Sequence, residues 1–420
     1  MYRIYAIIWL TLFFLVACSD SVQSEHQKPD GVDNEHRPVI TGAARLIESY
    51  LMELEGKNIG LVANPTARIN DTHLLDTLLS LQINITALFA PEHGFRGNLP
   101  AGEEVKDGYD VETGLPVYSL YGRTRKPTTE MLENIDILIF DMQDVGVRFY
   151  TYISTLGLVL EAASEHDVEV WVLDRPNPLG GEYVSGFMLE AEFTSFVGMF
   201  PIPVAHGLTI GEVAKMIVEE GWMDFSQKPS LRIIKMEHWT RSMIWPDTGL
   251  SWRAPSPNLP HFTNALVYPG TCFIEGTTMS EGRGTSDPFM MVGSPDLAVP
   301  DLVVTDLMRR YPVLLERIEF TPVSIPGVAT SPKHENQLLQ GFRITPQTLN
   351  PTELRPVEFG LELTREMLRF SPSSRTNRFM YNLAGTRRID DFLASDKHPV
   401  YFWQEDIEAF KKLRADYLLY

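Results

Sequence analysis

Glu92 and His93 stand directly after the apolar run Ala87-Leu88-Phe89-Ala90 and a single proline, and Gly94 and Gly97 break the chain behind them. An acid at the mouth of a buried strand, flanked in sequence by Phe89 and Phe95, is placed to lose part of its water. Desolvation raises a carboxyl's pKa. A carboxylic acid kept protonated near neutral pH can hand its proton to a departing sugar oxygen. Hydrolysis of a glycosidic bond needs that acid and a second group, either a nucleophile or a base that activates water. Glu103 and Glu281 are the candidates for the second group, with Asp144 behind them. His93 suits a hydrogen bond to a substrate hydroxyl and suits equally the bracing of its own turn.

Other chemistries lack their signatures. No GxGxxG follows a strand, since Gly282-Arg283-Gly284 has no clear strand before it, so no dinucleotide is expected. There is no GxxxxGK[ST], no HExxH, no paired CxxC and no GxSxG elbow. No cofactor and no metal are therefore expected. A metal-dependent hydrolase built on His93, Asp141 and Asp174 is the weakest alternative. Cys272 has no partner pattern of a nucleophile around it and reads as a small buried apolar residue.

The elements that would carry these residues alternate. Residues 44–55 have helical spacing, 58–63 form an apolar run ending at Asn64-Pro65, and 72–81 are helical with Asp71 as N-cap. Strands follow over 85–90, 135–140 and 168–173, with helices over 128–134 and 152–165 between them. Strands this apolar, separated by helices, predict a mostly parallel sheet with helices on both faces, an α/β fold. Ligands of such sheets bind beyond the carboxyl ends of the strands. Asn64, Glu92 with His93, Asp141 with Asp144, and Asp174 with Arg175 all fall there. A helix over 209–221, opened by a Thr209/Glu212 capping box, and a strand over 231–236 follow. Residues 245–262 are rich in Pro and Trp and irregular. Helices over 303–310, 358–370 and 407–419 and a strand over 317–320 predict a smaller C-terminal α+β domain. The expected division is a catalytic domain over 39–264 and a domain over 265–420 that closes the cleft.

The chain has 420 residues, 44% of them hydrophobic, and a formal charge of −19. That charge argues against a nucleic-acid partner, which needs clustered Lys and Arg. The first residues, MYRIYAIIWLTLFFLVACSD, read as a signal peptide over 1–17 whose Leu15-Val16-Ala17-Cys18 resembles a bacterial lipobox. Cys18 would then be lipidated and residues 18–38 would tether the domain to a membrane. Ser19 rather than Asp follows the cysteine, so the expectation is export across the inner membrane and an outer-membrane anchor facing the periplasm.

Several long motifs are similar to those of the exo-β-N-acetylmuramidase family: LVANPTA (61–67), LFAPEHGFRG (88–97), AGEEVKDGYDVETGLPVYSLYG (101–122), DILIFDMQDVGVRFYTYISTL (136–156), LDRPNPLGG (173–181), WRAPSPNLP (252–260) and TTMSEGRGTSDPF (277–289). The resemblance implies a Rossmann-like N-terminal domain, a smaller C-terminal domain and a cleft between them. It implies release of N-acetylmuramic acid from the non-reducing end of peptidoglycan fragments, with Glu92 as the catalytic carboxylate. Such a substrate carries a lactyl carboxylate, which a planar guanidinium matches in bidentate fashion. Arg283, Arg148, Arg96 and Arg123 are candidates for it. Tyr121, Tyr150 and Trp252 could stack on sugar faces, as could Tyr118 and Phe289, and Asp141, Asp144 and Asp174 could bind hydroxyls. The alternative function is a lipid-anchored protein that captures muropeptides without cleaving them.

Overall fold

Ile59–Ala63 (β1) is buried at every position, which its uninterrupted apolar sequence requires of a central strand. Around it the computed structural model, which describes residues 37–96 and 106–420, builds one sheet of seven strands. The others are β2 (Ile85–Ala90), β3 (Gly108–Tyr109), β4 (Pro116–Ser119), β5 (Ile137–Asp141), β6 (Glu169–Leu173) and β7 (Leu231–Ile234). Their order is β7-β6-β5-β1-β2-β4-β3, all parallel except the short edge strand β3. The chain winds outward through β2 and β4, then returns to the other side of β1 for β5, β6 and β7. That reversal puts a crevice at the carboxyl ends of the strands.

Helices cover both faces. Val62, Phe89, Leu138, Phe140, Val170 and Val172 pack on one side with the helices Tyr152–His166 and Ile210–Glu219. Leu61, Leu88, Ile139 and Trp171 point the other way, onto helical turns over Gly42–Leu54 and the helix Leu74–Ser80. The latter starts later than its spacing predicts. Thr72 and His73 pair with Arg68 and Ile69, and the cap is His73, not Asp71. The His73 Nδ1 accepts from Leu75 N–H at 3.2 Å, which leaves Nε2 as the donor to the Asn64 carbonyl at 3.0 Å.

The C-terminal part is smaller and carries an antiparallel sheet of three strands, β8 (Met291–Ser294), β9 (Val313–Phe320) and β10 (Leu339–Pro346), in the order β8-β10-β9. The sequence pattern does not predict β10, because exposed Gln340 and Arg343 break its alternation and it carries a glycine where strand propensity is poor. The structure shows the reason for that glycine. A Cβ on Gly341 would stand 2.2 Å from the Val292 carbonyl and 2.8 Å from the Phe320 ring. The helix Phe262–Thr271, hidden from its sequence by Pro269, crosses the Pro356–Arg369 helix at a glycine contact. A Cβ on Gly270 would lie 1.8 Å from the Pro356 carbonyl. One hydrophobic core runs from the sheet through Phe273 and Phe289 to Phe342 and Phe359, and residues 37–420 form one compact unit. Residues 1–36 and 97–105 lie outside the described residues, and with them the expected signal segment, Cys18, most of the tether, Gly97 and Glu103.

Candidate active site

The β2 strand stops at Ala90, and the next four residues make a tight turn closed by Gly94 N–H donating to the Pro91 carbonyl at 3.0 Å. His93 occupies the third position with φ 72°, the left-handed region that a side chain adopts only under constraint. Gly94 follows with φ 81°. The turn aims Glu92 away from the sheet, half-buried, into a cleft of about 440 Å³. That volume is of the size that holds small ligands. The Thr151 hydroxyl donates to Glu92 Oε2 at 2.9 Å, and Tyr121 lines the same cleft close enough to feel the Glu92 charge. Burial pushes the Tyr121 phenol up and the charge of Glu92 pushes it further, so it stays a proton donor. The Thr151 hydroxyl thereby fixes where Glu92 points.

The far wall comes from the C-terminal part. Glu281 lines the cleft and is 3% exposed. Arg283 donates to Glu275 at 2.9 Å and stands 3.6 Å from Glu281. Burial disfavours the guanidinium's charge, yet Glu275 and Glu281 outweigh it and hold its pKa above the usual value. Burial pushes the Glu275 carboxyl up, against the pull of Arg283. Lys333 gives its N–H groups to the carbonyls of Ile274, Glu275, Thr277 and Met279, at 2.9–3.1 Å. It faces Glu281 Oε2 at 3.1 Å as a charge. The alignment is not that of a hydrogen bond, so that oxygen has no donor among the described residues. A buried carboxylate oxygen without a donor is costly unless something fills it. A sugar hydroxyl reaching the cleft would do so.

Aromatic rings complete the walls. Tyr150, Phe149, Tyr268 and Phe289 meet edge to face, with centroids 4.8–6.2 Å apart. The Tyr150 hydroxyl is buried, and burial drives its pKa well up. It meets the full criteria of a hydrogen bond with no group among the described residues, although the Tyr152 ring lies 4.8 Å away. Cys272 also lines the cleft, free and buried. Burial pushes its thiol well up, so it remains protonated and inert.

The cleft therefore gathers Glu92, His93, Tyr121, Tyr150, Glu281 and Arg283. The other expected contacts are corrected by their surroundings. Arg148 is wholly buried and donates to the carbonyls of Phe187, Ile202, Leu383 and Ala384 at 2.6–2.9 Å, a brace where no sugar reaches. Arg96 grips Asp110 through two 2.9 Å bonds. Asp141 is buried against Arg175, with Nη2 to Oδ2 at 2.8 Å. Asp174 accepts from Thr209, Gly211 and Tyr420, each at 2.8 Å, and so ties the C-terminal residue to a helix start. Asp144 is buried behind the cleft and accepts from Gly146 N–H at 2.7 Å. Trp252 donates to the Leu259 carbonyl at 3.1 Å and packs edge to face on Trp245. With Asp141 and Asp174 so engaged, the metal grouping with His93 is not assembled. No cluster of three or more metal-ligating side chains occurs among the described residues.

Thr151, Glu275, Lys333, Phe196 and Arg125 line the cleft and were not foreseen. Thr151 sits inside a motif already singled out, one residue past Tyr150, and Arg125 falls three residues beyond the end of the motif that holds Tyr121. Lys333 carries no such signal. A larger cavity of about 630 Å³ opens beside Thr66, Gln143 and Arg175, but its lining carboxylates, Glu48 and Asp71, are both exposed.

A doubly wound sheet that presents one acid at its rim, beside a second acid shielded from water and among aromatic rings, has the equipment of a glycoside hydrolase. Family comparison agrees. Residues 59–263 match the N-terminal and residues 266–420 the C-terminal model of the exo-β-N-acetylmuramidase NamZ. The chain belongs to that family. It is 41% identical to the peptidoglycan β-N-acetylmuramidase NamZ of Bacillus subtilis (strain 168), across 91% of each chain. Two crystal structures of DUF1343-family proteins from Bacteroides fragilis NCTC 9343 share the fold. Their TM-scores are 0.79 and 0.74 at 33% and 34% identity, covering 91% of this chain and 99% of each of theirs.

Proposed function

We propose that this chain is an exo-acting β-N-acetylmuramidase. It would release N-acetylmuramic acid from the non-reducing end of peptidoglycan fragments, with Glu92 as its catalytic carboxylate. The family membership and the activity named for the Bacillus relative support the reaction. The observation that carries Glu92 is its placement: half-buried in the cleft, at the end of a strained turn, held by the Thr151 hydroxyl and beside Tyr121. In the proposed reaction the Glu92 carboxyl gives its proton to the glycosidic oxygen as the bond to the anomeric carbon breaks. Water then adds to that carbon and passes its proton to a carboxylate of the cleft, Glu281 or the now ionised Glu92. Glu281 is a buried carboxylate of the same cleft and takes the supporting role, while Glu275 is paired with Arg283. The Tyr150 hydroxyl and Glu281 Oε2 supply an unfilled donor and an unfilled acceptor for the sugar.

The test is hydrolysis of a chromogenic N-acetylmuramide. The native protein should cleave it much faster than the matching N-acetylglucosaminide. Glu92→Gln, checked by circular dichroism, should lose at least about a hundredfold in kcat, the scale for removing an acid or base. Retained turnover in a folded Glu92→Gln variant overturns the assignment of Glu92. Failure of the native protein to cleave any muramide overturns the function.

A further inference from the structure

We propose that Arg125 is the residue that selects a muramide over a glucosaminide, by pairing with the lactyl carboxylate of the bound sugar. The inference rests on the function proposed above. Among the described residues three cationic side chains of Arg or Lys line the cleft: Arg125, Arg283 and Lys333. Two are already committed. Arg283 is held between Glu275 and Glu281. Lys333 is spread over four carbonyls and Glu281. These four groups also balance in charge, two cations against two carboxylates, so they offer an incoming anion no net attraction.

Arg125 differs in each respect. It is exposed, and among the described residues it has no carboxylate within ion-pairing distance. Its guanidinium carbon lies 4.4 Å from the centre of the half-buried Phe196 ring. A guanidinium laid on an aromatic face is oriented without spending its N–H groups, which project in its plane. A carboxylate takes two such N–H groups in parallel. The ring that orients it also places it. Phe196 packs against Tyr121 with centroids 6.1 Å apart, and Tyr121 stands in the same cleft beside Glu92, whose charge acts on its phenol. The spare cation is thus linked through two rings to the carboxyl that would act on the glycosidic bond. A sugar bound there presents its ether-linked lactyl group a few bonds from its anomeric carbon, so an anchor beside Glu92 suits it. Among the arginines expected to fill this role, Arg148 and Arg96 are bound elsewhere and Arg123 does not line the cleft.

The experiment crosses two proteins with two substrates: the native chain and Arg125→Gln, on a chromogenic N-acetylmuramide and on its lactyl-carboxamide analogue. With the acid, Arg125→Gln should raise KM about 10- to 100-fold, the range for a hydrogen-bonded charge pair, with kcat within a few-fold. With the amide, native and variant should have similar KM. Arg125→Lys should recover part of the loss on the acid, because it restores the charge without the fork. A purely structural role would weaken both substrates alike, and that result overturns the proposal. So does an unchanged KM for the acid in Arg125→Gln. Inactivity of the native chain on both substrates would instead overturn the function on which the proposal rests, and the two failures are distinct.

Discussion

Replacing Asp144 by asparagine should flatten the dependence of stability on pH. Asp144 is buried, and burial raises its pKa to about 7 against the Gly146 N–H that bonds it at 2.7 Å. Its natural counter-charge is missing. His206 Nε2 lies 3.8 Å from Asp144 Oδ2, beyond a hydrogen bond. His206 is itself buried, which lowers its pKa to about 3, so the ring is neutral wherever Asp144 ionises. Its Nδ1 accepts from Leu208 N–H at 3.1 Å, which puts its one proton on Nε2. A carboxyl whose folded pKa is raised contributes stability that is fully present below its unfolded pKa, about 3.8. That contribution is lost as pH rises through about 7. About three pKa units correspond to roughly 4 kcal/mol in all, of which roughly 2–3 kcal/mol fall between about pH 5 and pH 8. Asparagine does not titrate. The difference in unfolding free energy between Asp144→Asn and the native chain should therefore shift by that amount toward the variant from pH 5 to pH 8. Asp174, also raised to about 7 by burial, is present in both proteins and cancels. Guanidinium unfolding at several pH values measures the difference directly. In thermal scans it amounts to about 3 °C, given an unfolding entropy of about 2 cal/mol/K per residue. Native and variant curves that run parallel across this range would refute the reasoning, because they would mean that the residue 144 carboxyl titrates alike folded and unfolded.

Two further substitutions test the braces around the cleft. Arg148→Met should cost about 3–5 kcal/mol, the scale of breaking a buried charged network, because four carbonyls from three separate segments lose their donor together. Chemical denaturation checks this, and a variant within about 1 kcal/mol of native removes the brace. Tyr420→Phe should cost about 1–3 kcal/mol, since the hydroxyl both donates to Asp174 and accepts from Met236 N–H, each at 2.8 Å. That hydroxyl lowers the Asp174 pKa. Its loss should hurt more at pH 8 than at pH 5, and an equal loss at both would contradict the bond.

The parallel sheet was legible because its strands are apolar throughout and the helices between them keep their period. Placing Glu92 at a strand end followed from the abrupt stop at Pro91. What each acid does there did not follow. Asp141, Asp144 and Asp174 sit at the same edge of the sheet as Glu92, yet each turns inward to a partner: Arg175, the Gly146 amide and the Thr209 helix start. Sequence spacing places a residue at a rim, and only the contacts of the following loop decide which way its side chain faces. The Glu92 turn faces outward because His93 accepts a left-handed φ. The far wall was less legible still. Glu281 could be named as an acid, but Lys333 reaches it from a loop 52 residues away, as it encloses the carbonyls of residues 274–279. A lysine used this way has no pattern to announce it.

These contacts also explain why the cleft can be rigid although its walls come from different halves of the chain. Glu92 is fixed by the Thr151 hydroxyl, from the loop after β5, with Tyr121 from the loop after β4 beside it, within the sheet's own connections. Glu281 is fixed by Arg283 and Lys333, within the C-terminal part. The two sets are joined by Phe149, whose ring meets both Tyr268 and Phe273 edge to face, at 5.4 and 6.0 Å, and by the core that continues behind it. A close-packed core moves as discrete repacking rather than by continuous bending. Phe149 therefore holds the second wall at a set distance from the turn that carries Glu92. The same packing separates two kinds of failure. Loss of Phe149 would shift one wall against the other, whereas loss of Glu92 or Arg125 would leave both walls in place and remove only the group that touches the sugar.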